Sequence, residues 1–419
     1  MAIHPIIAAL RKHKTGTVLI VLQIALTLAI VCNALFVVTQ RLERIHRVTG
    51  IDEADILFVS TSHAGLSADT DSGKARIDAD IQGDLQTLRK LPDVADAYES
   101  EMLPLSNDNW TLGLKRSRDD RRGAPGAMVY ADDHAISTLG IKLIAGRNFQ
   151  PDEIAQHTLL GMLEPSVVII TKHMADELFP NGDALGKQVY MVGGATKPST
   201  IIGIVDRLES AASQTDSDNL SWNSMLLPYR MTESQRYYVV RAKPGRLEAA
   251  MKSVPAALYA QDPQRVIPDG QGDKAGVRTF AQIREEAYKS DVGLAQLMVA
   301  ISITLLAVTA AGIVGLSSFW VGQRRKQIGV RRALGATRHS ILYYFLTENA
   351  LISTCGVVLG AALAIGFNLW MVTQFEMHRL PMPYVVSGVV LLLILGQAAV
   401  LGPALSASSV PPIEATRSV

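Results

Sequence analysis

Cysteine is nearly absent from this chain. Only Cys32 and Cys355 occur in 419 residues, and both lie inside long uncharged runs. The polar block 41–290 has none, so its fold must hold without disulfides, and at that size it can build its own core. Cys32 follows Ala29-Ile30-Val31, which lacks the small residue of a lipoprotein cleavage site. The first apolar run is too long for a signal-peptide core and has no A-x-A site behind it, so it reads as an uncleaved anchor.

Other absences narrow the chemistry. The nine histidines are scattered, with no triad or metal-ligand spacing around them. Gly182 and Gly186 are separated by three residues, and Gln188 follows Lys187, so the backbone cradle and hydroxyl of a phosphate-binding loop are missing. Asp69, Asp71 and Gly73 lack the further acids and closing Glu of a calcium loop. Asp132-Asp133-His134 precede a helix, and an N-cap is the reading adopted over a metal site. No basic face is concentrated enough to track nucleic-acid phosphates. No catalytic set, metal site or cofactor is expected, and no internal repeat is visible.

What the chain does have is long apolar stretches. Residues 17–38 form 22 uncharged positions, 292–323 form 32, 349–375 form 27 and 381–413 form 33. About 20 helical residues cross a hydrocarbon core, so four spans are expected. The resulting layout is a cytoplasmic N-terminus 1–16, spans at 17–40, 291–323, 341–373 and 383–405, an external loop 374–382 and a cytoplasmic tail 406–419. Gln23 and Asn33 in the first span read as helix–helix contacts.

Charge sets the orientation. Residues 41–290 hold 29 Lys plus Arg against 35 Asp plus Glu, whereas the remainder holds 11 against 4. Arg11, Lys12 and Lys14 place the N-terminus inside, and the long acidic block is placed outside. Residues 5–10 read as a short interfacial helix.

The outer block alternates short strands and short helices, an α+β domain with stalk ends. Strands are expected at 54–60, 94–99, 110–114, 127–131, 166–171, 200–207 and 236–242. Helices are expected at 77–91, where Ile77, Ile81, Leu85, Leu88 and Leu91 share a face, and at 172–179 and 247–260. A further helix at 279–290 runs into the second span as a rigid stalk. Residues 62–74, rich in Ser, Asp and Gly, read as a loop, as do 208–219; 106–109 is a polar turn and 115–122 a basic hairpin tip.

The segment 324–340 is the most informative. Six of the chain's forty Lys and Arg residues fall between Arg324 and Arg338, between two spans. Ile328, Ala333 and Leu334 give a short helix an apolar edge for a partner cleft. Arg324, Arg325, Arg331 and Arg332 can reach lipid phosphates or partner carboxylates, and Gly329 and Gly335 permit a turn or close approach. Positive-inside topology alone also accounts for the charge. Glu348 stands alone in the third span; pairing with a nearby Arg is preferred to a proton or substrate path.

The segment Arg324-Arg325-Lys326-Gln327-Ile328-Gly329-Val330-Arg331-Arg332-Ala333-Leu334-Gly335-Ala336, with Leu346-Thr347-Glu348 after it, resembles the loop of the FtsX-like permeases. These are the permeases of macrolide-exporter (MacB-type) and lipoprotein-releasing ABC transporters. Gln327 departs from the family's usual Glu. The stretches LGIKLIAGRNF, ELFPNGDALGKQVY and STIIGIVDR are similar to the family's periplasmic pattern, and PPIEATR to its closing residues. The resemblance covers nearly the whole chain.

It implies a permease of the inner membrane that binds no ATP itself. The site would be an ATPase-coupling surface of Arg324, Arg325, Ile328, Gly329, Arg331, Arg332, Ala333, Leu334, Gly335 and Ala336. A separate ABC ATPase would dock there, and its motion would reach a periplasmic domain of two subdomains. The permease would be a homodimer or a heterodimer with a related permease. A periplasmic adaptor and an outer-membrane channel are possible further partners. Two alternatives stand beside this: a mechanotransmitter that activates a cell-wall hydrolase, and a membrane-anchored extracytoplasmic enzyme.

Overall fold

The apolar runs and the alternating polar block fold into two compact units, residues 1–46 with 290–419 and residues 47–289. The computed structural model describes residues 14–411, apart from 64, 67, 101, 107–109, 121–122, 159–160, 212–217, 271, 376–378 and 410. The expected interfacial helix 5–10 and residues 412–417 of the closing motif lie outside the described residues. So do parts of the 106–109 turn, the 115–122 tip, the 208–219 loop and the loop at Glu376.

In chain order, α1 (Lys14–Ile45) leads to β1 (Ile56–His63), α2 (Asp71–Arg89), β2 (Val94–Glu99), β3 (Thr111–Lys115) and β4 (Ala124–Tyr130). Then come α3 (Ala135–Leu139), β5 (Leu143–Gly146), β6 (Ala155–His157), β7 (Val167–Thr171), α4 (Lys172–Leu178), β8 (Gln188–Met191) and β9 (Ser199–Val205). These are followed by α5 (Asp218–Trp222), β10 (Ser224–Leu227), β11 (Tyr229–Met231), β12 (Gln235–Ala242), α6 (Leu247–Gln261), β13 (Arg265–Val266) and β14 (Val277–Thr279). Four helices remain: α7 (Phe280–Gln323), α8 (Arg325–Ala333), α9 (Arg338–Phe375) and α10 (Met382–Ser408).

Four of these helices, α1, α7, α9 and α10, are long and apolar enough to cross a membrane. α1 packs along α9 and against α10. Gly356 and Gly360 of α9 make this possible: a Cβ would lie 2.8 Å from the Ile24 side chain at the first and 2.9 Å from the Ala25 backbone at the second. Small residues four apart bring two membrane helices close. Polar groups on α1 bond across to its neighbours. Gln23 Nε2 donates to the Val308 carbonyl at 3.0 Å, Thr27 meets the Thr309 hydroxyl at 2.8 Å, and Asn33 Nδ2 donates to the Ala364 carbonyl at 3.4 Å. Gln23 and Asn33 therefore serve as helix contacts, as their sequence setting implies.

The inserted domain holds two sheets. One has the order β13-β1-β12-β2, with β14 also on β1, and is covered by α2 and α6. The spacing read from sequence places Ile77, Ile81, Leu85 and Leu88 in its core, beside Leu57, Val59, Tyr238 and Val254. The other sheet runs β5-β9-β7-β10-β4-β3-β8, and β8 pairs again with β9. That extra pairing closes six strands into a ring around Leu114, Met128, Val168, Ile170, Val189, Ile201 and Met225. Closure leaves those strands without free edges. A third pairing, β11 with β6, joins two three-residue strands.

One local reading is corrected. Residues 71–74 belong to α2 and not to a loop. Thr70 caps that helix, its hydroxyl accepting from the Gly73 amide at 3.1 Å, with Asp71 in the first turn. Polar residues that favour loops also satisfy free helix-end amides.

Candidate functional site

The segment between the second and third membrane helices is a short helix held inside two tight turns. The Ile328 amide donates to the Arg324 carbonyl at 2.9 Å, so α8 starts almost directly from the end of α7. It stops at Gly335, whose φ is +96°. The Gly335 amide returns to the Arg332 carbonyl at 3.1 Å and the Ala336 amide to the Arg331 carbonyl at 3.0 Å. This is the paired C-terminal cap that only a left-handed residue completes without strain. A Cβ on Gly335 would meet nothing within 4 Å, so its role is the turn and not close approach. Thr337 then caps α9, accepting from the Ser340 amide at 3.2 Å.

Inward-facing groups fasten this elbow to three membrane helices. Ile328 is buried with Trp320, Ile341, Phe345 and Ala404, and Gly329 is buried beside it. Arg324 Nη1 donates to both Glu348 oxygens, at 3.0 and 2.9 Å, and the Glu348 side chain is 3% exposed. The Arg331 guanidinium lies over the Tyr344 ring at 5.2 Å. Arg332 Nη1 donates to the Ser408 carbonyl at 3.2 Å, a cation at the C-terminal end of α10 where free carbonyls and the helix dipole favour it. The sequence assigned these arginines to lipid phosphates or a partner. Arg324, Arg331 and Arg332 make these contacts within the chain, and the Arg325 side chain is exposed. Glu348 has the paired role and not that of an isolated intramembrane acid.

The outward face is different in kind. Leu334 is 83% exposed, Val330 is exposed, and Ala333 is exposed between them. Arg325, Lys326 and Gln327 are exposed on the same helix. Ile328, expected on the partner-facing edge, packs inward, and Val330 takes its place on the apolar face. Ala336 is half-buried in the second turn. The elbow thus presents a small apolar knob on a base cross-tied to α7, α9 and α10.

The comparisons with known proteins match this architecture. Residues 17–257 match the family described as the MacB-like periplasmic core domain, and residues 299–413 match the FtsX-like permease C-terminal family. The chain belongs to the FtsX-like, MacB-type permease family. The macrolide export ATP-binding/permease protein MacB of Bdellovibrio bacteriovorus is 29% identical over 283 residues, covering 65% of this chain. This permease spans 41% of that relative's length. An ABC transporter permease of Bacillus subtilis, YvrN, is 24% identical over 297 residues, 68% of each chain. The solved periplasmic region of MacB from Actinobacillus actinomycetemcomitans aligns with 58% of the chain at 15% identity and a TM-score of 0.34. The permease is thus a multi-pass membrane protein with an extracytoplasmic α+β domain inserted after its first membrane helix.

Elsewhere, the Asp132-Asp133-His134 group resolves into a turn. Asp132 accepts the His134 amide at 2.8 Å and pairs with Arg89 at 3.0 Å; His134 stands at the N-cap position of α3 without a side-chain capping bond, and its ring meets Asp96 at 2.8 Å. Asp132 therefore shapes the approach to the helix without being its N-cap. Among the described residues no group of three His, Cys, Asp or Glu could hold a metal ion. Sequence reading missed a clasp in the membrane unit, where Asp291 of α7 is buried between Arg41 at 2.6 Å and Arg44 at 3.6 Å of α1. Its one sequence signal is an acid immediately before an uncharged run of 32 residues.

Proposed function

We propose that this chain is the permease subunit of an ABC transporter in the inner membrane. It carries ATP-driven motion from a separate cytoplasmic ATPase to its periplasmic domain and exports small molecules, peptides or lipid-linked cargo. Both termini and α8 lie in the cytoplasm, and residues 41–290 in the periplasm. Two permease chains, identical or related, form the membrane core, and an adaptor and an outer-membrane channel extend the path.

The observation that carries this reading is the construction of the elbow. Leu334 stands 83% exposed at the end of a helix that Arg324–Glu348, Arg331–Tyr344 and Arg332–Ser408 tie to α9 and α10. An apolar knob fits a partner cleft, and the ties pass a push on the knob to the bundle. Positive charge that served topology alone would need neither feature.

Affinity purification of the tagged full chain from native membranes is expected to retrieve an ATPase. Leu334→Asp puts a charge on the knob, and Gly335→Pro forbids the φ of +96°. Each is expected to insert normally and to lose permease-coupled ATPase activity. Wild-type coupled activity in both variants would overturn the coupling role.

A further inference from the structure

Two chain segments enter the inserted domain: the residues that follow α1 and the first part of α7. One guanidinium joins them. Arg284 on α7 donates through Nη1 to Glu53 and through Nη2 to the Arg47 carbonyl, the latter at 2.6 Å. Its cationic face covers the Tyr288 ring at 5.6 Å. Glu53 is held a second time by the Thr49 hydroxyl at 2.7 Å.

The inbound segment is also pressed against residues 207–209 and 221–222. The Glu209 amide donates to the Thr49 carbonyl at 2.8 Å, and Arg47 Nη1 donates to Ser221 Oγ at 2.9 Å. The guanidiniums of Arg47 and Arg207 cover the Trp222 ring at 5.5 and 5.1 Å. Gly50 lies between these contacts with φ +88°, and a Cβ there would fall 2.2 Å from the Arg207 carbonyl oxygen. Backbone packed this closely leaves room for glycine alone.

A planar fork that donates to two acceptors on one segment is something arginine can do and lysine cannot. We propose that Arg284 is a positioning residue that splices the inbound segment Arg47–Glu53 to α7, so that both connections move Arg207–Glu209 and Ser221–Trp222 as one. The splice stands on this geometry; its bearing on transport rests on the permease reading above.

The test uses the full chain in lipid nanodiscs, with Cys32→Ala and Cys355→Ser, and spin labels at Val48→Cys and Glu285→Cys, two exposed positions. With Arg284 present the label-to-label distance is expected to give one narrow population. Arg284→Ala loses it, and Arg284→Lys, which keeps the charge and one contact, gives an intermediate width. Glu53→Gln retains a narrow population, because its amide oxygen still accepts. A narrow population in Arg284→Ala, or one in Arg284→Lys as narrow as wild type, overturns the splice; where Arg284→Ala does not fold, the lysine variant decides. The measurement needs no ATPase or nucleotide, so its failure is separate from failure of the Leu334→Asp test.

Discussion

Three of the carboxylates buried in this permease keep very different company. In the inserted domain Asp84 is wholly buried between two guanidiniums that are each 2% exposed. Arg265 donates to it at 2.6 Å, the Tyr238 hydroxyl donates at 2.5 Å, and Arg236 stands 3.8 Å away. In the same domain Glu209, 2% exposed, has Arg47 as its ion-pair partner at 3.5 Å. In the membrane unit Glu348 meets Arg324 one to one, by two bonds. Asp84 is surrounded by cations, Glu209 is weakly paired, and Glu348 is matched. The differences teach what each group does: Asp84 neutralises a core, Glu209 is governed by desolvation, and Glu348 joins two helices at the end of a span.

The largest effect is expected at Asp84. Removing it leaves Arg236 and Arg265 buried without the carboxylate between them, although the half-exposed Asp80 stands 3.6 Å from Arg236. Among the described residues Arg236 Nε and Arg265 Nε already lack a hydrogen-bond acceptor. Breaking a buried ionic cluster from one side costs about 3–5 kcal/mol. Thermal unfolding of Asp84→Ala, followed by a domain-specific probe, should show a loss of that size. A change within the range of surface substitutions would mean that Asp84 is not the counter-charge of this core.

Much of the surrounding fold was legible in the sequence, but this cluster was not. The helix that carries Asp84 follows from Ile77, Ile81, Leu85 and Leu88, since apolar spacing reports which face is covered. Strand β2 was expected over the residues it occupies, 94–99. Strands such as β10 and β11, at four and three residues, are too short to show a period. Ring closure depends on Gln188 pairing with Thr200, which alternation cannot reveal. Tyr238 lies 154 positions and Arg265 181 positions from Asp84, so the pairing is created by the fold. At the elbow, the glycine turn and the Arg–Glu pair were legible as types. Which arginine turned inward was not, because the four look alike until helix phase fixes their directions.

Glu209 should give the second effect, and a pH-dependent one. Burial pushes its carboxyl up to about 7, with Arg47 and Arg284 holding it back in part. Between its ordinary value of 4.5 and about 7 the folded state holds a proton that the unfolded state has released, so stability falls as pH rises through this window. Wild type and Glu209→Gln should therefore unfold alike near pH 5. Above pH 7 the Gln variant should be more stable, by about 2–3 kcal/mol at most. Parallel melting curves from pH 5 to 8.5 would contradict this, and a Gln variant weaker at high pH would show that the Arg47 pair outweighs burial.

Glu348 should give the smallest change in stability, although it is as buried as Glu209. Arg324 follows the last residue of α7, and a long guanidinium at a span end can turn toward the interface when its partner is lost. Glu348→Gln retains one acceptor oxygen, so the loss should be about 1 kcal/mol. Its effect should fall instead on the permease-coupled ATPase activity, because the elbow would keep its Ile328 anchor, its Arg331–Tyr344 stack and its Arg332 contact but lose the charged pair between Arg324 and α9. A melting loss as large as that of Asp84→Ala would make the pair a core fixing like Asp84. Unchanged melting together with unchanged coupling would mean that the Ile328, Arg331 and Arg332 contacts carry motion into the bundle without the Arg324–Glu348 pair.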